Sequence, residues 1–218
     1  MELGELNMKI IEKFKMLTKM MELVNTTFQI GTYSINQVLE RYKEPHRYYH
    51  TLAHLERMCV VLDGMKIPDY VKAKVALGIL YHDAVYDVNA AAGLNEMASA
   101  KLLMDEGFDI PDLPEVICAI MDTNDHKPTC SIGTYLCIID LDDLINPLPE
   151  QLEINTINLW KEAGSPDWKE FIEDSKKFVL SYSSRIGAAT SNVLSYFDHM
   201  ENFSDNTIEE LANGSVQM

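Results

Sequence analysis

The sequence predicts an all-α fold on three observations. Apolar residues recur at helical spacing along most of the chain, and Gly and Pro fall mainly between those stretches. The one short β-branched run that invites a strand, Tyr135-Leu136-Cys137-Ile138-Ile139, has no obvious strand to pair with. A chain of 218 residues can bury a sizeable core as one domain, and no repeat, low-complexity segment or linker divides it. The expected organisation is therefore a single domain over 1–218. Its chemistry-bearing core spans about 38–150, with N-terminal helices in 5–37 and C-terminal helices in 150–212 packed on it.

The elements follow in order. Met8 to Leu17 puts Met8, Ile11 and Met16 on one face with lysines between them. Ser34-Ile35-Asn36-Gln37 reads as a capping box opening a helix through Tyr42, and Pro45 closes that region. A helix from Thr51 ends at Gly64, which suits the position after a helix C-terminus. Pro68-Asp69 starts a longer helix, Tyr70 to about Tyr86, and Asn89 to Gly93 is a loop of small residues. Helices over Asn95–Glu106, Pro114–Met121, Thr134–Leu144 and Pro149–Ala163 come next, with a polar turn at Asp122–Pro128. Asp167-Trp168-Lys169-Glu170 is a second capping box, heading a helix to about Ser184. Thr190–Met200 and Thr207–Ala212 complete the set.

Composition narrows the function classes. A net charge of −16 argues against nucleic acid or an anionic membrane as partner of the general surface. Any phosphate-bearing substrate must be drawn by a local positive feature. Cys59, Cys118, Cys130 and Cys137 show no CxxC pairing and read as thiols of a reducing compartment. No apolar run approaches the roughly 18–20 residues that span a bilayer. The start, Met1-Glu2-Leu3-Gly4-Glu5, lacks the basic and apolar character of a signal peptide, so a cytoplasmic protein is expected.

The stretch around which the chemistry gathers is Gly78 to Asp87, an apolar helical run carrying His82 beside Asp83. Burying an imidazole and a carboxylate is costly without compensation, and a divalent cation would compensate both. Three other places carry side chains suited to join them. His50 and His54 stand four apart and share a helix face. Asp140, Asp142 and Asp143 follow an apolar run, and Glu96 with Ser99 lies one loop beyond the His-Asp pair. Each of these alone has a bland reading as cap, helix end or first-turn acid.

In order, these give His, then His-Asp, then Asp on three separate helices, which resembles the HD superfamily of metal-dependent phosphohydrolases. The likeness is closest to a family of compact bacterial and phage HD proteins of unassigned substrate. It is carried by Pro45-His46-Arg47-Tyr48-Tyr49-His50-Thr51-Leu52-Ala53-His54 and by Tyr81-His82-Asp83-Ala84-Val85-Tyr86-Asp87. Asn95-Glu96 with Ser99-Ala100, Thr123 to His126, and Asp140-Leu141-Asp142 continue it, so the likeness spans roughly 38 to 150. It implies a helical bundle holding a divalent ion (Mn, Fe, Co, Ni, Zn or Mg) on His50, His82, Asp83 and Asp142. His54 is the alternative to His50, and Asp140 or Asp143 the alternatives to Asp142.

The resemblance further implies catalytic roles. Asp83 would orient a water, Arg47 would clamp a phosphate through its fork, and Glu96 would position the water or take its proton. His54 or His126 would protonate the leaving alkoxide. The implied activity is hydrolysis of a small phosphate ester or anhydride, a nucleotide above all, in the cytoplasm of a bacterial or phage-infected cell. Two alternatives stand beside it: a non-catalytic nucleotide-binding domain, and an HD-type di-iron oxygenase. The latter needs more histidines between His82 and the last Asp than His126. Related proteins carry an Arg after the position of Phe171, where this chain has Lys176 and Lys177. The methionines Met8, Met16, Met20 and Met21 read as helix packing or a face for a homo-oligomer. Trp160 and Trp168 are expected to pack near Gly164, and His46 and His199 to lie at the surface or at caps.

Overall fold

The structure, a computed structural model, describes residues 14–214. Met8 and Ile11 of the expected first helix lie outside the described residues. All regular structure among the described residues is helical, as the sequence predicts, and it divides into two compact units, one running through Asp140 and one from Leu141.

The first unit contains α1 (Lys15–Phe28), α2 (Thr32–Arg41), α3 (Leu52–Gly64) and α4 (Asp69–Tyr81), then α5 (Leu94–Asp105), α6 (Leu113–Asp122) and α7 (Ser131–Asp140). α4 is its axis. Every residue from Ala73 to Tyr81 is buried, and α1, α2, α3, α5, α6 and α7 all pack on it. A helix apolar on all sides has to be enclosed on all sides. Lys74 alone breaks that rule, and its ammonium reaches out to Glu115 at 2.7 Å and Asp112 at 3.5 Å while its stem stays in the core. On α1, Leu17, Met20 and Val24 recur at helical spacing and are all buried, each contributing roughly 1.5–3 kcal/mol. Glu56 of α3 binds the α1 N-terminus, accepting from Met16 N at 2.9 Å and Leu17 N at 2.6 Å.

Three boundaries differ from the sequence reading: the start of α2, the end of α4 and the end of α7. α2 starts at Thr32 after Gly31, so Ser34 lies inside the helix and caps nothing. α4 stops at Tyr81, and His82 is the residue that closes it, so the His-Asp pair sits on the exit turn and not mid-helix. Tyr135–Ile139 is helical within α7, because Leu136 and Ile139 gain burial against neighbouring helices that a lone strand would lack. α7 ends at Asp140, short of the expected Leu144.

The second unit contains α8 (Asp142–Ile145), α9 (Pro149–Glu162), α10 (Trp168–Ser181), α11 (Ser183–Ile186), a 3-10 turn (Gly187–Ala189), α12 (Thr190–Met200) and α13 (Asp205–Gly214). It has its own core, which includes Leu152, Ile157, Trp168, Ile172, Val193 and Phe197. The Asp167 carboxylate caps α10, accepting from Lys169 N and Glu170 N, both at 3.0 Å. The two tryptophans pack edge to face at 5.7 Å beside the turn at Gly164, as expected. Trp160 Nε1 donates to Pro166 O at 2.8 Å and Trp168 Nε1 to Met200 O at 2.7 Å. Lys176 is held by Glu173, Asp198 and Glu201, and Lys177 by Asp174. The hydrophobic clusters part after Asp140, where the sequence has no Pro or Gly to mark a division.

Candidate metal centre

Close helix packing brings the chemistry together. Gly78 of α4 faces Leu136 of α7 so tightly that a Cβ there would stand 3.2 Å from Leu136 Cδ2. One turn further along each helix come His82 and Asp140, with His82 Nε2 3.7 Å from Asp140 Oδ1. The third helix, α3, supplies His54 in its first turn, and His54 Nε2 is 3.2 Å from Asp140 Oδ1. His54, His82 and Asp140 each offer a ligand atom within 4.8 Å of the other two, and both histidines are buried.

Asp83 adds a fourth side chain. Its Oδ2 lies 2.9 Å from His82 Nε2 and 3.8 Å from His50 Nε2. From the loop between α6 and α7, His126 Nε2 reaches Asp140 Oδ2 at 3.0 Å. His126 does so from the left-handed region, at φ 48°, a conformation that costs a residue with a Cβ and tends to be kept at functional sites.

The tautomer of His82 is set by its surroundings. Nδ1 lies 2.9 Å from Ile79 O and donates to it, which leaves Nε2 as a bare lone pair. That lone pair faces Asp83 Oδ2 and Asp140 Oδ1, two acceptors. Three acceptors facing each other repel unless a proton or a cation lies between them. His82 Nε2 has no hydrogen-bond partner, and neither ring nitrogen of buried His54 has one. The short approaches therefore lack the line-up of hydrogen bonds.

Such orphaned atoms fit a cation. Ligands about 2.1 Å from one ion sit about 3.0–3.4 Å from their neighbours, and the 3.2 Å between His54 Nε2 and Asp140 Oδ1 falls in that range. Burial pushes His54 below its ordinary value, with Asp140 opposing, and so favours the neutral imidazole that a cation needs. Burial also pulls on His82, but the negative charges of Asp83 and Asp140 outweigh it and push His82 up to about 9. Burial raises Asp83, yet His82 and His50 hold it well below the carboxylate range. Burial likewise raises Asp140, and His126, His54 and His82 more than reverse that. Without a metal, a proton on His82 does the cation's work.

The predicted site residues fall into three groups. His82, Asp83, His54 and His126 come together, and the acid that joins them is Asp140. Asp142, the expected ligand, opens α8 in the second unit and accepts from Asn146 Nδ2 at 2.6 Å, while its neighbour Asp143 accepts from Asn155 Nδ2 at 2.7 Å. His50, the other expected ligand, sits outside the triplet, its ring 4.4 Å from the ring of Tyr86 and its Nε2 beside Asp83. Of the two histidines at α3's entry, His54 is the one whose ring nitrogen lies within ligand distance of His82 and Asp140.

Arg47 does something other than the clamp expected of it. It is buried, with Nε on Glu44 at 3.0 Å, Nη1 on Asp83 O at 2.7 Å and His50 O at 3.4 Å, and Nη2 on Ala84 O at 3.3 Å. The rings of Tyr42 and Tyr86 face its guanidinium at 5.2 and 5.4 Å. Arg47 ties the segment before α3 to the exit turn of α4. Tyr42 supports the same turn, donating from its hydroxyl to Leu80 O at 3.0 Å.

Glu96 stands in the first turn of α5, half-buried. That helix is clasped to the chain just past Asp83. Ser99 Oγ accepts from Val85 N at 3.0 Å, and Asn95 brackets Asp87 by accepting from its N and donating to its O, both at 3.0 Å. His46 lies at the surface with Nε2 3.2 Å from Tyr86 O.

Comparison with protein-family models, with curated proteins and with solved structures returned no match. The chemistry of the site therefore rests on its own geometry. No helix among the described residues is long and apolar enough to cross a membrane.

Proposed function

We propose that this protein is a metal-dependent phosphohydrolase of the HD type, acting on a small phosphate ester or anhydride, a nucleotide above all. The observation that carries the reading is the buried His54–His82–Asp140 group with Asp83 at its edge: two imidazoles and two carboxylates in close approach, with His82 Nε2 and both ring nitrogens of His54 lacking hydrogen-bond partners. A bound divalent cation would supply a positive centre for a phosphoryl oxygen and a water of lowered pKa.

The remaining roles belong to the chain. Asp83 accepts a hydrogen bond from the attacking water and orients it. His126, hydrogen-bonded to Asp140 and carried on a strained loop, donates a proton to the leaving alkoxide. Glu96, on the helix clasped beside the site, takes the proton released from the water. Arg47 fixes the backbone of the exit turn, so the phosphate charge is met chiefly by the cation. That dependence on the cation suits a protein of net charge −16.

Purified protein supplied with Mn or Co and screened against mono-, di-, tri- and cyclic nucleotides releases phosphate on this reading. Inertness across all four classes contradicts it. One observation favours a second reading, a nucleotide-binding domain without turnover: the donors of Arg47 are committed to the fold. Tight nucleotide binding with intact nucleotide after long incubation would select that reading.

A further inference from the structure

A second group of ligand atoms lies at the two ends of the loop that carries His126. Cys118 and Asp122 stand one turn apart on α6, and Cys130 arrives from the loop just before α7. Their two Sγ atoms and a carboxylate oxygen all lie within 4.8 Å of one another. Asp122 Oδ2 is 3.9 Å from Cys118 Sγ and 3.8 Å from Cys130 Sγ. A tetrahedral zinc-type site, with metal–sulfur bonds of about 2.3 Å and metal–oxygen bonds of about 2.0 Å, has edges of roughly 3.5–3.8 Å. The two sulfur–oxygen edges need to close by only a few tenths of an ångström to match it, and the two sulfurs already lie within 4.8 Å of each other.

The local structure is built around this carboxylate. Asp122 is 5% exposed, and no Lys, Arg or His side chain pairs with it among the described residues. A buried carboxylate without a counter-charge is costly, and here two thiols are its nearest side-chain neighbours besides Thr129. Thr129 fixes it, donating from N to Oδ2 and from Oγ1 to Oδ1, both at 2.8 Å. Gly133 makes the room, since a Cβ there would stand 2.0 Å from Asp122 Oδ2. Burial, with Cys118 and Asp122 beside it, pushes the Cys130 thiol up to about 12 while no cation is bound, and Gly133 N, donating to Cys130 Sγ at 3.3 Å, opposes that rise. The other contacts of the sulfurs are Cys118 Sγ with Thr129 Oγ1 at 3.0 Å and Cys130 Sγ with Glu115 O at 3.4 Å.

We infer that Cys118, Asp122 and Cys130 form a second metal site, taking a thiophilic divalent cation of the zinc class, with water or the Thr129 hydroxyl as fourth ligand. Two thiolates and a carboxylate select a softer ion than the imidazole and carboxylate set around His82. On binding, each thiol releases its proton to solvent, and the cation joins α6 to the start of α7. It thereby clasps both ends of the loop that presents His126 to Asp140. The inference is independent of the phosphohydrolase reading.

The test is a cobalt titration of the full-length protein kept reduced by a reductant that does not bind metal. A thiolate-to-cobalt charge-transfer band in the near ultraviolet is expected. It should be lost in C118S and retained in H82A, which separates this site from the histidine centre. Far-ultraviolet circular dichroism establishes that each variant is folded. On the unaltered protein, zinc should slow alkylation of Cys118 and Cys130 by about tenfold or more, mapped by mass spectrometry. A charge-transfer band absent from the unaltered protein, a band surviving in C118S, or equal alkylation with and without zinc would each overturn the inference.

Discussion

His82 Nε2 and Asp83 Oδ2 stand 2.9 Å apart, side chains of adjacent residues turned to face the same point. Asp140 approaches that point from another helix, with His54 beside it. A single positive charge at the point relieves all of them, and a proton or a divalent ion can supply it.

That substitution predicts a pH dependence. In the metal-free protein His82 is pushed up to about 9, above its unfolded value near 6.5. A folded-state value above the unfolded one gives stability that is fully present below about pH 6.5 and is lost as pH rises through about 9. Asp83 and Asp140 are lowered, so their contribution is present above about pH 4 and is lost on acidification. His54 is lowered by burial, so its contribution is lost as pH falls below about 6.5. Urea midpoints of chelator-treated protein should therefore peak near about pH 6.5 and fall toward pH 9, by on the order of 1–3 kcal/mol for His82. Saturating metal should flatten the alkaline fall. A midpoint that rises from pH 6.5 to 9 without metal would contradict the proton's role.

The ligand set predicts an order among variants. H54A should weaken Mn binding by more than the roughly 10–100-fold typical of residues that only support a ligand, and H50A by no more than that range. D142A should leave Mn binding unchanged, because the Asp142 carboxylate is occupied by Asn146. Calorimetric titration of the three variants reads all of this at once. A reversed order for His50 and His54 would move the site toward Asp83 and Tyr86.

Arg47 predicts a stability effect more than a substrate effect. R47K loses the fork that reaches Asp83 O and Ala84 O together, and lysine offers a single point charge in its place. Thermal denaturation should show a loss of about 2–4 kcal/mol, the cost of breaking more than one buried charged hydrogen bond. A variant of unchanged stability whose only defect is a raised KM would return Arg47 to the phosphate.

Gly133 predicts overpacking. G133A places a methyl group 2.0 Å from Asp122 Oδ2, so the carboxylate must leave Thr129 or α7 must shift. A loss of about 1–3 kcal/mol in chemical denaturation is expected. Parity with the unaltered protein would mean that Asp122 is held less firmly than its hydrogen bonds suggest.

Much of this was legible in the residues. Helical spacing exposed the fold, and the order of His50, His54, His82, Asp83 and the acids after Ile139 exposed a candidate metal site. The finer choices were not legible, because they depend on where helices stop. Whether Asp140 or Asp142 meets the histidines turns on α7 breaking at Leu141, inside an apolar and acidic run with no Gly or Pro to announce it. Arg47 reads as a phosphate clamp in sequence, since a guanidinium bound to backbone carbonyls leaves no trace in residue spacing. Cys118 and Cys130 lack the CxxC spacing that flags a thiolate site, and Cys130 joins Cys118 and Asp122 only through the loop and the α6–α7 packing.

The central claim is that His54, His82 and Asp140 together hold a divalent cation. Calorimetric titration of the full-length protein with Mn, an ion that prefers nitrogen and oxygen ligands over thiolates, tests it most directly when paired with D140N. The account predicts a tight site in the unaltered protein, with proton release at neutral pH, and its loss in D140N with the helical circular dichroism retained. Equal Mn affinity in a folded D140N protein would contradict it.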